Sequence, residues 1–215
     1  MEISTERINV IYTESSKLRV YINLIKDDLK LLQEVSLNTA INASKENSVV
    51  FADIYKMIAN QIRKNTVDML LESENMNSVV NELVKYSLSG VKKNSYNLKI
   101  TMGKKLIKDD RFGNLIIVNR ALENNMQKLV VISKQLAVEI ENVKRLHETL
   151  VNLNKKIWLT TTNLKVENNI KESNKEFFDS IAEILDKKNE FMTKKLEDMG
   201  KDIMKIERLI KADSN

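Results

Sequence analysis

Apolar residues recur at alternating intervals of three and four along most of the chain. Ile11, Leu18, Ile22, Ile25, Leu29 and Leu32 form one stripe, which continues through Ser36, Thr39 and Ala43. A second carries Phe51, Ile54, Ile58, Ile62, Met69, Met76, Val80 and Leu83. The third runs Leu115, Val118, Leu122, Met126, Leu129, Ile132, Leu136, Ile140, Val143, Leu150 and Ile157, and the fourth Phe177, Ile181, Ile184, Phe191, Met199, Ile206 and Leu209. Residues three and four apart share a helix face, so each run predicts a long helix with one apolar seam. Such a seam must be covered, and four of them are expected to pack inward on one another. The predicted fold is all-α: four long helices in an antiparallel four-helix bundle or coiled coil.

The interruptions divide this pattern. "SKENSV" (44–49) gathers polar turn formers between the first two helices, and "TTTNLKVENNIKESNKE" (160–176) separates the last two. Three of the four glycines, Gly90, Gly103 and Gly113, fall within 89–113. The expected organisation is a single elongated helical domain over 1–215. Within it, helical hairpin 1 spans 3–88, a basic linker 89–113 and helical hairpin 2 114–212. In the linker Tyr96, Leu98, Ile100 and Met102 alternate with polar residues before Gly103, the pattern of a short β-hairpin. The segment 37–58 also lies over 164–185 without a gap, pairing Leu37 with Leu164, Asn42 with Asn169, Phe51 with Phe178 and Ile54 with Ile181, as a duplicated hairpin would.

Composition supports the helical prediction and removes several chemistries. Proline is absent and aromatic residues make up 5% of the chain, which favours long helices over turn-rich sheets. Without cysteine there is neither a disulfide framework nor a thiolate metal site. His147 is the only histidine, too few for multi-histidine metal sites; its place between Val143 and Leu150 predicts a packed or rim residue, with a pH-sensitive contact as its functional alternative. No phosphate-binding glycine loop, metalloprotease helix motif or calcium loop is present, and the carboxylates show no paired acid–base spacing. The expectation is a non-enzymatic protein without metal or cofactor. Its start, "MEISTERINV", lacks a signal-peptide apolar region, and the apolar runs are too short to span a bilayer, so a cytoplasmic location is expected.

Charge singles out the linker. Lys92, Lys93, Lys99, Lys104, Lys105, Lys108 and Arg111 stand against Asp109 and Asp110, a balance of +5 that equals the formal net charge of the chain. These seven form a candidate anion-binding patch; a solvated connector is the plain alternative. Tyr96 and Phe112 are too few for a base-stacking platform, so nucleic acid ranks last among the partners.

The stretch "LNTAINASK" (37–45) replaces the large apolar residues of the first seam with small and polar ones. Small residues allow close backbone approach or leave room for a partner, and the polar ones need hydrogen bonds if buried. This stretch resembles the tip motif of bacterial chemoreceptor (methyl-accepting chemotaxis protein) signalling domains, usually "LNAAIEAAR". Leu37, Asn38, Ala40, Ile41 and Ala43 match, and Thr39, Ser44 and Lys45 are conservative changes. After the turn, Phe51, Ala52 and Ile54 follow the family's "GFAVVADEV". Asn42 stands where the family carries glutamate, and the interval between Lys45 and Phe51 is about two residues shorter.

The resemblance implies a helical signalling or scaffold protein whose hairpin tip docks a protein partner, a histidine kinase or its coupling protein. The implied partner-binding residues are Leu37, Asn38, Ala40, Ile41, Ala43, Lys45, Phe51, Ala52 and Ile54. The rival reading is a structural or secretion-associated bundle, acting on a membrane or on other chains, self-association included, without a kinase link.

Overall fold

The structure, a computed structural model, describes residues 5–46, 48–106, 114–169 and 175–211. It contains four helices: α1 (Thr5–Ala43), α2 (Val49–Leu106), α3 (Asn114–Asn169) and α4 (Lys175–Lys211). Among the described residues only Ser44, Lys45, Glu46 and Ser48 lie outside them. The four-helix, all-α prediction holds. The predicted β-hairpin does not, because α2 continues unbroken through Tyr96, Leu98, Ile100 and Met102 to Leu106.

The chain divides into two compact units, and the division falls inside every helix. One comprises Met1–Arg19, Ser78–Lys144 and Lys201–Asn215; the other comprises Val20–Asn77 and Arg145–Gly200. Residues 89–106 of the predicted linker continue α2, and 107–113 lie outside the described residues. Gly90 follows Leu83 and Ser87 on the α2 seam, and a Cβ there would overlap Cδ1 of Ile8 and stand 3.6 Å from Cγ2 of Ile132. A glycine inside a helix usually costs about 1 kcal/mol relative to alanine. Here it admits the buried side chain of Ile8, so a residue read as a break is a close approach between helices.

In the first unit the core is built by Ile8, Ile11 and Leu18 of α1, Val80 and Leu83 of α2, Leu129, Ile132, Leu136, Ile140 and Val143 of α3, and Ile203, Ile206 and Ile210 of α4. Beside it lies the buried carboxylate of Glu14, which accepts from Lys205 Nζ at 2.5 Å and pairs with Lys17 Nζ at 2.7 Å. Burial alone would raise its pKa. The hydrogen bonds and charges of Lys17 and Lys205 together outweigh burial and hold the carboxyl below its ordinary 4.5. A depressed folded pKa contributes stability above the unfolded value and loses it as the pH falls through the folded one. Glu14→Gln should therefore flatten the fall in stability below about pH 4.5, read as the urea midpoint against pH. Parallel wild-type and variant curves in that range would remove Glu14 from the acid response.

The second unit keeps the α1 seam as predicted, with Ile22, Ile25, Leu29, Leu32, Ser36, Thr39 and Ala43 all buried. On α4 the prediction slips by one residue for part of its length. The buried set is Phe178, Ile181, Ala182, Leu185, Asn189, Met192, Leu196 and Met199, which includes the predicted Ile181 and Met199, whereas Phe177 and Ile184 are half-buried and Phe191 is exposed. Asn189 occupies a seam position, and a search for apolar spacing steps around it. Side-chain contacts run in opposite residue order on α3 and α4: Asn154 donates to Thr193, Lys165 to Asp186 and Asn168 to Asp179. The gapless pairing of 37–58 with 164–185 joins unlike environments, since Leu37 is exposed and Leu164 buried. Phe178 meets Tyr55 instead, ring on ring.

Candidate functional site

The candidate tip is the end of the second unit where α1 turns into α2. The amide of Ser44 donates to the Ala40 carbonyl at 3.2 Å, those of Lys45 and Glu46 donate to Asn42 and Ala43, and the Ser48 carbonyl accepts from Ala52 at 2.9 Å. Ser48 stands immediately before α2, the position where serine commonly caps a helix.

Three polar residues of "LNTAINASK" bond back to carbonyls of α1. Thr39 Oγ1 donates to the Val35 carbonyl at 2.8 Å, Asn42 Nδ2 to Asn38 at 3.0 Å and Ser44 Oγ to Ala40 at 3.0 Å. Just before this stretch, Ser36 Oγ donates to the Gln33 carbonyl at 2.8 Å. Back-bonding of this kind lets a hydroxyl sit on a buried seam without a partner on another helix.

The nine residues of the candidate tip separate into two sets. Ala43 and Ala52 are buried on their seams. Leu37 and Ile41 are 60% and 47% exposed, Asn38 and Lys45 are exposed, and Ala40, Phe51 and Ile54 are half-buried. Val49 and Val50, which the sequence comparison passed over, are also exposed at the start of α2. Their signal is a pair of β-branched apolar residues directly after a polar turn. Between the two helices runs a groove lined by Ser36, Leu37 and Ala40 on one side and Ala59, Asn60, Arg63 and Val67 on the other. Ser36, Ala40 and Ala59 leave its floor open because their side chains are short.

Behind the surface lies an aromatic cluster. Phe178 stacks on Tyr55 with ring centroids 3.7 Å apart, and Phe177 meets Phe178 edge-on at 5.2 Å. Tyr55 donates to Asn168 Oδ1 at 3.4 Å, while Asn168 Nδ2 donates to the Lys175 carbonyl and to Asp179. Burial raises the Tyr55 phenol pKa, and the carboxylates of Glu46, Glu167 and Asp179 raise it further, so the hydroxyl remains a donor.

The five described candidate anion-binding cations are spread around α2. Lys92 and Lys99, seven residues apart, share one face of α2, while Lys93 and Lys104 lie on another. Lys105 lies on a third face, and Lys108 and Arg111 fall outside the described residues. Lys104 Nζ donates to Asn119 Oδ1 at 2.8 Å.

His147 sits on the α3 seam, where Nε2 donates to the Leu196 carbonyl at 2.7 Å. Gly200 makes room for its ring, since a Cβ there would stand 3.2 Å from His147 Cε1. Trp158 is exposed beside Asn189, Thr193 and Glu197. Among the described residues no cluster of three His, Asp or Glu side chains is arranged to hold a metal ion, and no helix is long and apolar enough to cross a membrane. Comparison with family models, curated proteins and solved structures finds no match.

Proposed function

We propose that the protein is a non-enzymatic helical signalling or scaffold module, cytoplasmic, which presents the 37–54 end of its α1–α2 hairpin to a protein partner. The partner indicated by the chemoreceptor-like stretch is a histidine kinase or its coupling protein. The observation that carries this reading is the exposure of Leu37 and Ile41 next to an open groove, in a stretch where Thr39 and Asn42 bond back to α1 carbonyls. Exposed apolar side chains beside a groove are available for contact.

The same reading has the helix segments of each unit running antiparallel. Its support is the contact order: Asn154, Lys165 and Asn168 of α3 meet Thr193, Asp186 and Asp179 of α4, and Tyr55 and Asn65 of α2 meet Asn168 and Thr160 of α3.

A Leu37→Glu, Ile41→Glu variant should melt within a few degrees of wild type, because exposed substitutions usually change stability by about 0.5 kcal/mol or less. It should also lose a kinase or coupling protein that the wild type captures from host lysate, identified by mass spectrometry. Capture of that partner at wild-type yield by a folded variant would move the contact surface elsewhere.

A further inference from the structure

The opposite end of the α2–α3 pair has a different surface. In the first unit, Ile8 of α1 meets Gly90 of α2, so the described start of α1 at Thr5 lies about level with Asn94. Asn94 of α2 and Leu129 of α3 are buried. Past them, among the described residues of 95–105 and 115–128, none is buried as a whole, although the side-chain amide of Asn97 is covered. Met126, one turn before Leu129 on the same seam, is already 45% exposed.

This stretch remains apolar despite its exposure. Ile116 and Ile117 are 67% and 66% exposed, and Leu98 and Met102 are exposed on α2. It is also basic. Lys99, Lys104, Lys105, Arg120 and Lys128 are all exposed, and Glu123 is the one carboxylate among the described residues of 95–105 and 115–128, a balance of +4. That charge opposes covering the surface with a second copy of itself. Isoleucine and methionine interleaved with lysine and arginine suit an anionic bilayer, where apolar side chains enter the headgroup region and cations meet lipid phosphates and carboxylates.

We propose that the α2–α3 end, through Leu98, Met102, Ile116 and Ile117 with Lys104 and Lys105, is a docking surface for anionic lipid membranes. The proposal does not depend on the partner assigned to the α1–α2 tip.

The test is flotation of the full chain with vesicles of phosphatidylcholine alone or with phosphatidylserine added. Binding is expected only with the anionic lipid and should weaken as salt is raised. Lys104→Gln, Lys105→Gln should reduce the partition coefficient roughly ten- to thirty-fold, from the contribution of each cation near an anionic surface. Ile116→Asp, Ile117→Asp should abolish binding. Both variants alter exposed positions, and the aspartates fall in the first turn of α3, where negative charge is favourable. Circular dichroism is expected to show wild-type helicity for both. Equal binding to neutral vesicles, no binding to either, or loss of Ile116 and Ile117 exposure through a dimer seen by sedimentation would each overturn the proposal.

Discussion

Truncating Phe178 to alanine is expected to lower the unfolding free energy by about 3–5 kcal/mol, the range for removing a large aromatic ring from a packed core. The ring is fully buried and lies 3.7 Å, centroid to centroid, from that of Tyr55. Removing it deletes apolar burial and stacking together, and leaves a space that long, regular helices cannot close without shifting register. The loss should extend to the polar side of the cluster, because Tyr55 also holds Asn168, and Asn168 reaches the start of α4 at Lys175. Phe177 is the control. Its half-buried ring touches Phe178 only edge-on, and Phe177→Ala should cost about 1 kcal/mol. Equilibrium urea unfolding of the two variants checks both values. Equal losses would mean that Phe178 has no special place in the core.

Replacing Asn189 by leucine is expected to raise stability, by about 2 kcal/mol. Asn189 lies on the α4 seam between Leu185 and Met192, and its buried Oδ1 has no hydrogen-bond partner among the described residues. An unmet buried acceptor costs about 1–3 kcal/mol, and leucine of similar size would replace it with apolar contact. Asn154 provides the comparison. It is equally buried and its Oδ1 likewise has no partner among the described residues, but its Nδ2 donates to Thr193 Oγ1 at 2.8 Å, so Asn154→Leu also gives up a bond and should change stability little. Thermal melts compare the two directly. A buried polar residue on a helix seam also restricts register and oligomeric state, so Asn189→Leu should broaden the distribution of species seen by sedimentation. A drop in stability would show that Asn189 is hydrogen-bonded in solution.

Much of the local architecture was legible in the chain. Ile22, Ile25, Leu29, Leu32, Ser36, Thr39 and Ala43 follow one unbroken three–four rhythm, and all of them are buried. Periodicity is a local property, and a strong amphipathic rhythm leaves a helix one side to bury. The turn at 44–48 was equally plain, because polar residues interrupt the apolar rhythm there. Leu37, Asn38 and Ile41, singled out in the sequence by resemblance, are exposed.

Tertiary structure alone decided the rest. Whether Gly90 ends a helix or admits a neighbour depends on Ile8, more than eighty residues earlier in the chain. The α4 seam passes through Asn189 because the packed helices impose one register along their length, whatever the polarity of a single position. Ala43 and Ala52 are buried because they complete the seams of α1 and α2. The basic, apolar end of α2 and α3 shows the difference most clearly. The residues of 95–105 and 115–128 were all visible in the sequence, but their exposure depends on how the helices pack, which no single segment states. A periodic pattern states which face of a helix needs cover; only the register between helices states which part of that face receives it.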